Sequence, residues 1–74
     1  MNITVKLFAS LRQGRFEEMV ISCVRDSTVE VIIRDLGIPT DQVSIMSVND
    51  EHVNSGYHLS AGDILSLFPP LGGG

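Results

Sequence analysis

The groups with chemical potential in this sequence are few: Cys23, His52, His58, the adjacent Glu17 and Glu18, and the terminal run Pro69-Pro70-Leu71-Gly72-Gly73-Gly74. His52 and His58 stand six apart, with Asp50, Glu51 and Asp63 nearby in sequence. That spacing fits no structural zinc pattern, and only Cys23 could add a sulfur ligand, so they read as surface histidines and no metal site is expected. Cys23 has no neighbouring helix start or basic cluster to activate it and reads as a small apolar residue in a strand. Glu17 and Glu18, adjacent in an extended segment, point to opposite faces and cannot act as an acid/base pair. Gly14, Gly37, Gly56 and Gly62 are isolated from one another and form no phosphate-cradling loop. The body of the chain reads as a scaffold without catalytic machinery of its own.

The terminal run is different. Proline lacks an N–H and fixes φ, so Pro69-Pro70 fits neither a helix interior nor a central strand. Residues before proline favour extended geometry, which directs Phe68 and Pro69 out of the domain. Three glycines without Cβ atoms then suit a tip that enters a narrow space. Together they describe a stiff stem, an adaptable tip and a free carboxylate. The competing reading is a frayed end or a cloning remnant. The residues divide into a domain over 1–68 and a tail over 69–74.

The elements that must hold this tail are legible as alternating patterns. Ile3, Val5 and Leu7 alternate with Asn2, Thr4, Lys6 and Phe8, the period of a strand with one buried face. Ala9 to Arg15, with Gly14 as a turn residue, reads as a hairpin-type loop. A second strand covers about Phe16 to Val24, with Met19, Ile21 and Cys23 on one face and Val20, Ser22 and Val24 on the other; both faces are partly apolar, and the pattern does not say which is buried. Ser27 followed by Glu30 has the form of a capping box. Val29, Ile32, Ile33 and Leu36 make one helical stripe, Gly37 is placed as a left-handed cap, and Pro39 prevents continuation. A third strand is expected over Val43–Val48, a polar turn over Asn49–His52, a weak strand over Val53–Leu59, a turn over Ser60–Asp63 and a last strand over Ile64–Phe68. A hairpin followed by a helical crossover would set the third strand parallel to a neighbour. One helix on a mixed sheet of about five strands is the α+β architecture called the β-grasp, or ubiquitin-like, fold.

Composition narrows the function classes. Seventy-four residues make one domain. The 43% hydrophobic and 19% charged content is too apolar for a disordered chain. A single cysteine rules out an internal disulfide and fits a reducing compartment. No signal-like segment or membrane-length apolar run is present, so a soluble cytoplasmic protein is expected, with no membrane partner. The formal charge of −4 argues against nucleic-acid binding and fits docking on a more basic protein.

The ending Gly62-Asp63-Ile64-Leu65-Ser66-Leu67-Phe68-Pro69-Pro70-Leu71-Gly72-Gly73-Gly74 resembles that of the MoaD/ThiS family of ubiquitin-like sulfur carriers. Val48-Asn49 resembles the family's middle-strand Val-Asn, and Ile3 to Leu11 its opening strand and loop. The double proline brings the chain closer to MoaD, the small sulfur-carrying subunit of molybdopterin synthase, than to ThiS, the thiamine-pathway carrier. Gly72 stands where many relatives carry alanine or another small residue, and the segment between Gly37 and Val43 is short, which leaves room for a carrier serving another sulfur pathway.

The resemblance implies that the Gly74 carboxylate is the reactive group. An adenylating enzyme of the ubiquitin-activating type (MoeB/ThiF-type), using ATP-Mg, would form an acyl-adenylate there. Sulfur transfer would give a thiocarboxylate that donates sulfur within the large subunit of molybdopterin synthase. The chain itself would bind no cofactor. Phe68, Pro69, Pro70, Leu71, Gly72 and Gly73 become the partner-binding tail: the prolines aim it, Leu71 anchors it, and Gly72-Gly73 thread it. Six extended residues reach about 20 Å, enough to span from a docked domain to an enclosed site. Docking is expected on a sheet face beside the tail, drawn from Phe8, Leu59, Leu65, Leu67 and Phe68. Two alternatives use the same ending, a ThiS-like carrier and a ubiquitin-like modifier joined through Gly74 to lysines. A third is a β-grasp interaction module with an inert tail.

Overall fold

Alternating apolar residues make strands only if each strand finds neighbours, and here five do so. The computed structural model describes residues 1–70. Strands β1 (Asn2–Leu7), β2 (Glu18–Ser22), β3 (Ile45–Val48), β4 (Glu51–Val53) and β5 (Ile64–Phe68) form one sheet in the order β2-β1-β5-β3-β4. Helix α1 (Val29–Asp35) is the one α-helix among the described residues. The two-layer β-grasp arrangement expected from the sequence is therefore the one observed.

The strand directions differ from expectation in one respect. β3 is antiparallel to both its neighbours, β4 and β5, and the parallel pair is β1 with β5. β5, last in sequence, inserts between β1 and β3 and takes the central position that a simple crossover would have given to β3. Its register sets Val5 beside Leu65 and Leu7 beside Leu67 on one side, and Met46 beside Leu67 and Val48 beside Leu65 on the other.

Because successive strand residues face opposite ways, one face of the sheet collects the apolar set. Ile3, Val5, Leu7, Leu65 and Leu67 are buried together with Val29, Ile32 and Ile33 of the helix. Leu11, Ile38 and Leu59 close the rim of this core from the connecting segments. On β2 the face that turns inward is that of Met19, Ile21 and Cys23, since Met19 pairs with Val5 and Ile21 with Ile3. Ile21 and Cys23 pack on the core, while Met19 stays partly exposed.

Helix α1 is short, and its ends are fully accounted for. Its N-cap is Thr28, whose side chain accepts the Val31 N–H at 3.3 Å, one residue later than the Ser27 cap expected. Ser27 is committed to the preceding turn, donating its hydroxyl to the Val24 carbonyl at 2.6 Å. The Val29 and Glu30 N–H groups donate to the carbonyls of Tyr57 and Ser55, so these otherwise orphaned donors find partners in a loop distant in sequence. At the other end Gly37 has φ +73. Its N–H donates to Arg34 and that of Ile38 to Ile33, the paired bonds of a Schellman motif.

Three connections also depart from the sequence reading. The loop after β1 contains a 3₁₀ turn, Ala9–Arg12, and another, Thr40–Gln42, precedes the third strand, which begins at Ile45 and not at the expected Val43. The fourth strand comes earlier than expected, at Glu51–Val53. Asn49 and Asp50 both have positive φ, the requirement of a two-residue type I′ hairpin, so β4 begins at once. Residues 54–57 then turn, with the Asn54 side chain accepting the Gly56 N–H at 2.9 Å.

Candidate functional site

The site expected at Leu71, Gly72, Gly73 and Gly74 lies outside the described residues. What is described is the root from which those residues depart. It is assembled from the last residues of β5, the 3₁₀ turn after β1, and the segment before β3.

The backbone of the last β5 residues is held from both sides. The Phe8 N–H donates to the Leu67 carbonyl at 3.2 Å, and the Ser44 N–H donates to the Phe68 carbonyl at 2.8 Å. Pro69 follows with no N–H to extend the ladder, so regular pairing stops where the stem begins. Side chains reinforce the same point. The rings of Phe8 and Phe68 stack with centroids 4.4 Å apart and an interplanar angle of 12°. The Arg12 guanidinium lies 5.4 Å from the Phe8 ring centroid and donates through Nε to the Leu7 carbonyl at 2.7 Å. Its Nη2 lies 3.7 Å from Glu17 Oε1. Arg12 thus joins the end of β1, the aromatic pair and the loop leading to β2. Such an arginine–aromatic contact is worth about 0.5–1 kcal/mol at an exposed site.

The stem itself borders an open groove. Pro69 and Pro70 form one wall, and Ser10, Gln13, Arg15, Asp41 and Gln42 line the rest. Both 3₁₀ turns therefore meet at the tail root, and neither was anticipated from the sequence. Arg12 and Arg15 were visible in the sequence as residues flanking a loop; their spacing gave no sign that the loop would fold back against Phe8 and the prolines.

The opposite end of β5 is pinned by the two short motifs that carried part of the sequence resemblance. The Asn49 side chain donates to Asp63 Oδ1 at 3.0 Å and accepts the Ile64 N–H at 2.9 Å. Asp63 Oδ2 accepts the Ser60 N–H at 2.8 Å. Asp63 is buried, yet its acceptor atoms are occupied, which removes the cost of hiding a polar group. Val48-Asn49 and Gly62-Asp63 are thus two halves of one clamp on the start of the central strand.

The expected docking set divides. Leu59, Leu65 and Leu67 belong to the core and are unavailable to a partner. Leu65 and Leu67 were misplaced because the parity of β5 turns them toward the helix, leaving Ile64, Ser66 and Phe68 on the open face. Phe8 and Phe68 remain half-buried on that open face beside the tail, with Ile64 exposed farther along it.

The remaining candidates stay apart. His58 lies 3.3 Å from Asp26, and His52 is on the open face opposite Ser47. Glu17 faces Arg12, and Glu18 faces Lys6 at 4.0 Å across β1 and β2. Among the described residues no three or more His, Cys, Asp or Glu side chains gather as a metal site would require. No helix among them is long and apolar enough to cross a membrane.

Comparison with known proteins places this geometry in context. The model of the ThiS family matches residues 5–74, tail glycines included. SAMP1 from Haloferax volcanii, a small archaeal modifier protein, is 27% identical, with complete coverage of both chains and a TM-score of 0.75. A protein assigned as molybdopterin converting factor subunit 1 from Pyrococcus furiosus is 25% identical over 96% of this chain and 99% of that one, with a TM-score of 0.78. A chain from the complex of subunits 1 and 2 of the Helicobacter pylori molybdopterin-converting factor shares the fold at 24% identity, full coverage of both chains and a TM-score of 0.68. No curated protein matches the sequence.

Proposed function

This chain belongs to the ThiS family, and we propose that it is a sulfur carrier whose Gly74 carboxylate is adenylated and converted to a thiocarboxylate for molybdopterin synthesis. The observation that carries the reading is the tail root. The central strand ends in a carbonyl held by Ser44, beside a stacked Phe8–Phe68 pair, and two prolines that cannot extend the ladder follow. The family match continuing through residue 74 supports a role for the glycines themselves.

The chemistry asks little of the domain. A carboxylate is a poor electrophile until one oxygen becomes a leaving group. An adenylating partner supplies that step: the Gly74 carboxylate attacks the α-phosphorus of ATP, pyrophosphate leaves, and an acyl-adenylate forms. A sulfur nucleophile then displaces AMP. Water must be excluded while the acyl-adenylate persists, so the tip has to enter the partner's closed site. This chain contributes presentation: Pro69 and Pro70 set the direction, Leu71 anchors, and Gly72 and Gly73 thread. The thiocarboxylate then delivers sulfur to a precursor held by a large synthase subunit. The subunit 1 and 2 complex of the H. pylori factor supports a partner of that kind.

Intact mass after incubation with an adenylating enzyme, ATP and a sulfur donor tests the reading. A mass gain equal to one oxygen-to-sulfur exchange is expected, and it should vanish when one residue is added after Gly74. No gain with the chain ending at Gly74, or an undiminished gain with the extended one, removes the carrier role.

The similarity to SAMP1, a modifier by name, favours a second reading in which the same activated carboxylate is joined to lysines of target proteins. Higher-mass lysine conjugates in cell extract would distinguish it.

A further inference from the structure

The sheet has two edges, and they are finished differently. β4 is three residues long, carries Glu51 and His52, and follows directly on the tight Asn49-Asp50 turn. Short length and charge are common devices that discourage an edge from pairing with another chain. β2 has little of that protection. It spans Glu18–Ser22 with an unbroken register against β1, no bulge, no proline and no lysine. It also gathers exposed apolar side chains: Met19 is 45% exposed, Val20 64% and Val24, just beyond the strand, 79%.

The phase of its free hydrogen-bonding groups can be read from the ladder. Leu7 N–H donates to the Glu17 carbonyl, and Cys23 N–H to that of Met1. Bonded pairs alternate in an antiparallel ladder, so Met19 and Ile21 also bond toward β1. The N–H and C=O groups of Glu18, Val20 and Ser22 therefore point away from the sheet.

We propose that β2 is a self-association edge, pairing antiparallel with β2 of a second copy about a two-fold axis at Ile21. The occupant follows from the charges. In this register Val20 pairs with Ser22 of the second copy and Met19 lies opposite its Cys23. Beyond the paired strands Glu17 comes level with its Arg25, in the turn closed by the Ser27 N–H on the Val24 carbonyl, an attraction made twice by symmetry. Arg25 is exposed and enters no ion pair among the described residues. Centring the axis on Val20 instead would set Arg15 opposite Arg25, and centring it on Ser22 would set Glu18 opposite Asp26. Arg15, Arg25 and Asp26 flank the strand in a bend and a turn, so these charges come level at the ends of the seam. Like charges there are unfavourable, and of these three registers only that at Ile21 brings opposite charges together.

The pairing leaves the tail chemistry intact. β1 separates β2 from β5, and the antiparallel seam sends the two tail roots to opposite ends of a ten-stranded sheet. Both tails remain free to enter a partner, so this assembly stands or falls independently of the sulfur-carrier reading.

Sedimentation equilibrium of the full chain, followed up to about 1 mM, tests the seam in the weak range where a millimolar dissociation constant corresponds to about −4 kcal/mol. A monomer–dimer equilibrium is expected. Val20→Lys should abolish it, Glu17→Arg and Arg25→Glu should each weaken it several-fold, and the two together should restore it. Amide exchange of the unmodified chain provides a readout that needs no variant: Glu18, Val20 and Ser22 gain protection with concentration, and the β4 amides do not. A chain monomeric throughout, a dimer indifferent to Val20→Lys, or protection gained at β4 in place of β2 overturns the proposal. A double charge swap no better than the single ones overturns the register.

Discussion

The two faces of the sheet are written in the same strands and do opposite work. Along β1 and β5, Ile3, Val5, Leu7, Leu65 and Leu67 are closed off from solvent by α1 and the connecting segments. The residues between them, Thr4, Lys6, Phe8, Ser66 and Phe68, are only partly covered and look outward. One face supplies most of the apolar burial that offsets chain entropy in so small a domain, where only about 60% of the unfolded surface is removed from water. The other is free to be chosen for presentation, and it holds the aromatic pair at the tail root. On the proposed function this division is needed, since a partner must dock and leave without disturbing what keeps the domain folded.

The comparison breaks first, if it is wrong, at Leu67. Truncation by Leu67→Ala removes a fully buried side chain at the centre of the covered face, and a loss of about 2–5 kcal/mol is expected in urea unfolding. A loss below about 1 kcal/mol would mean that the covered face is not the source of stability.

The neighbouring open-face position should separate stability from presentation. Phe8→Leu keeps an apolar side chain but removes the stack on Phe68 and the surface beneath Arg12, a loss of about 0.5–1.5 kcal/mol. On the proposed function, conversion of the tail to its sulfurated form should fall by more than the lost stability explains, at a temperature where the variant is fully folded. Equal conversion by the folded variant would show that the stack does not aim the tail.

The smallest effect is expected at the exposed Lys6–Glu18 pair on the same open face. Lys6→Ala should cost less than about 1 kcal/mol, and the difference should shrink further in high salt, because both groups are largely solvated. Thermal unfolding at low and high ionic strength measures it.

Much of this division was legible in the sequence. The alternation of β1 and the double proline after Phe68 are local signals, each complete within a few residues. By contrast β5, apolar at four of its five positions, did not show which of its faces is covered, and Leu65 and Leu67 were expected on the docking face. Gly37 likewise announced a left-handed cap, and φ +73 is found there. Elements whose partners are distant in sequence were harder. Ser27 and Thr28 are both competent caps, and the choice fell to Thr28 because the Ser27 hydroxyl was taken by the Val24 carbonyl. Both faces of β2 are apolar enough to be buried, and only pairing of Ile21 with Ile3 and Met19 with Val5 decided between them. Asn49 and Asp63 stood out as residue types without any sign that they would meet.

By itself, then, the sequence determined the periodicities, the strand that ends in two prolines and the family to which that ending belongs. Tertiary structure decided that β5 lies between β1 and β3, that Arg12 and Phe8 brace the tail root, and that one edge of the sheet is left open. The physical reason is range. Periodicity and proline geometry act within a few residues, whereas strand order, clamps and edges depend on which distant segments exclude water together.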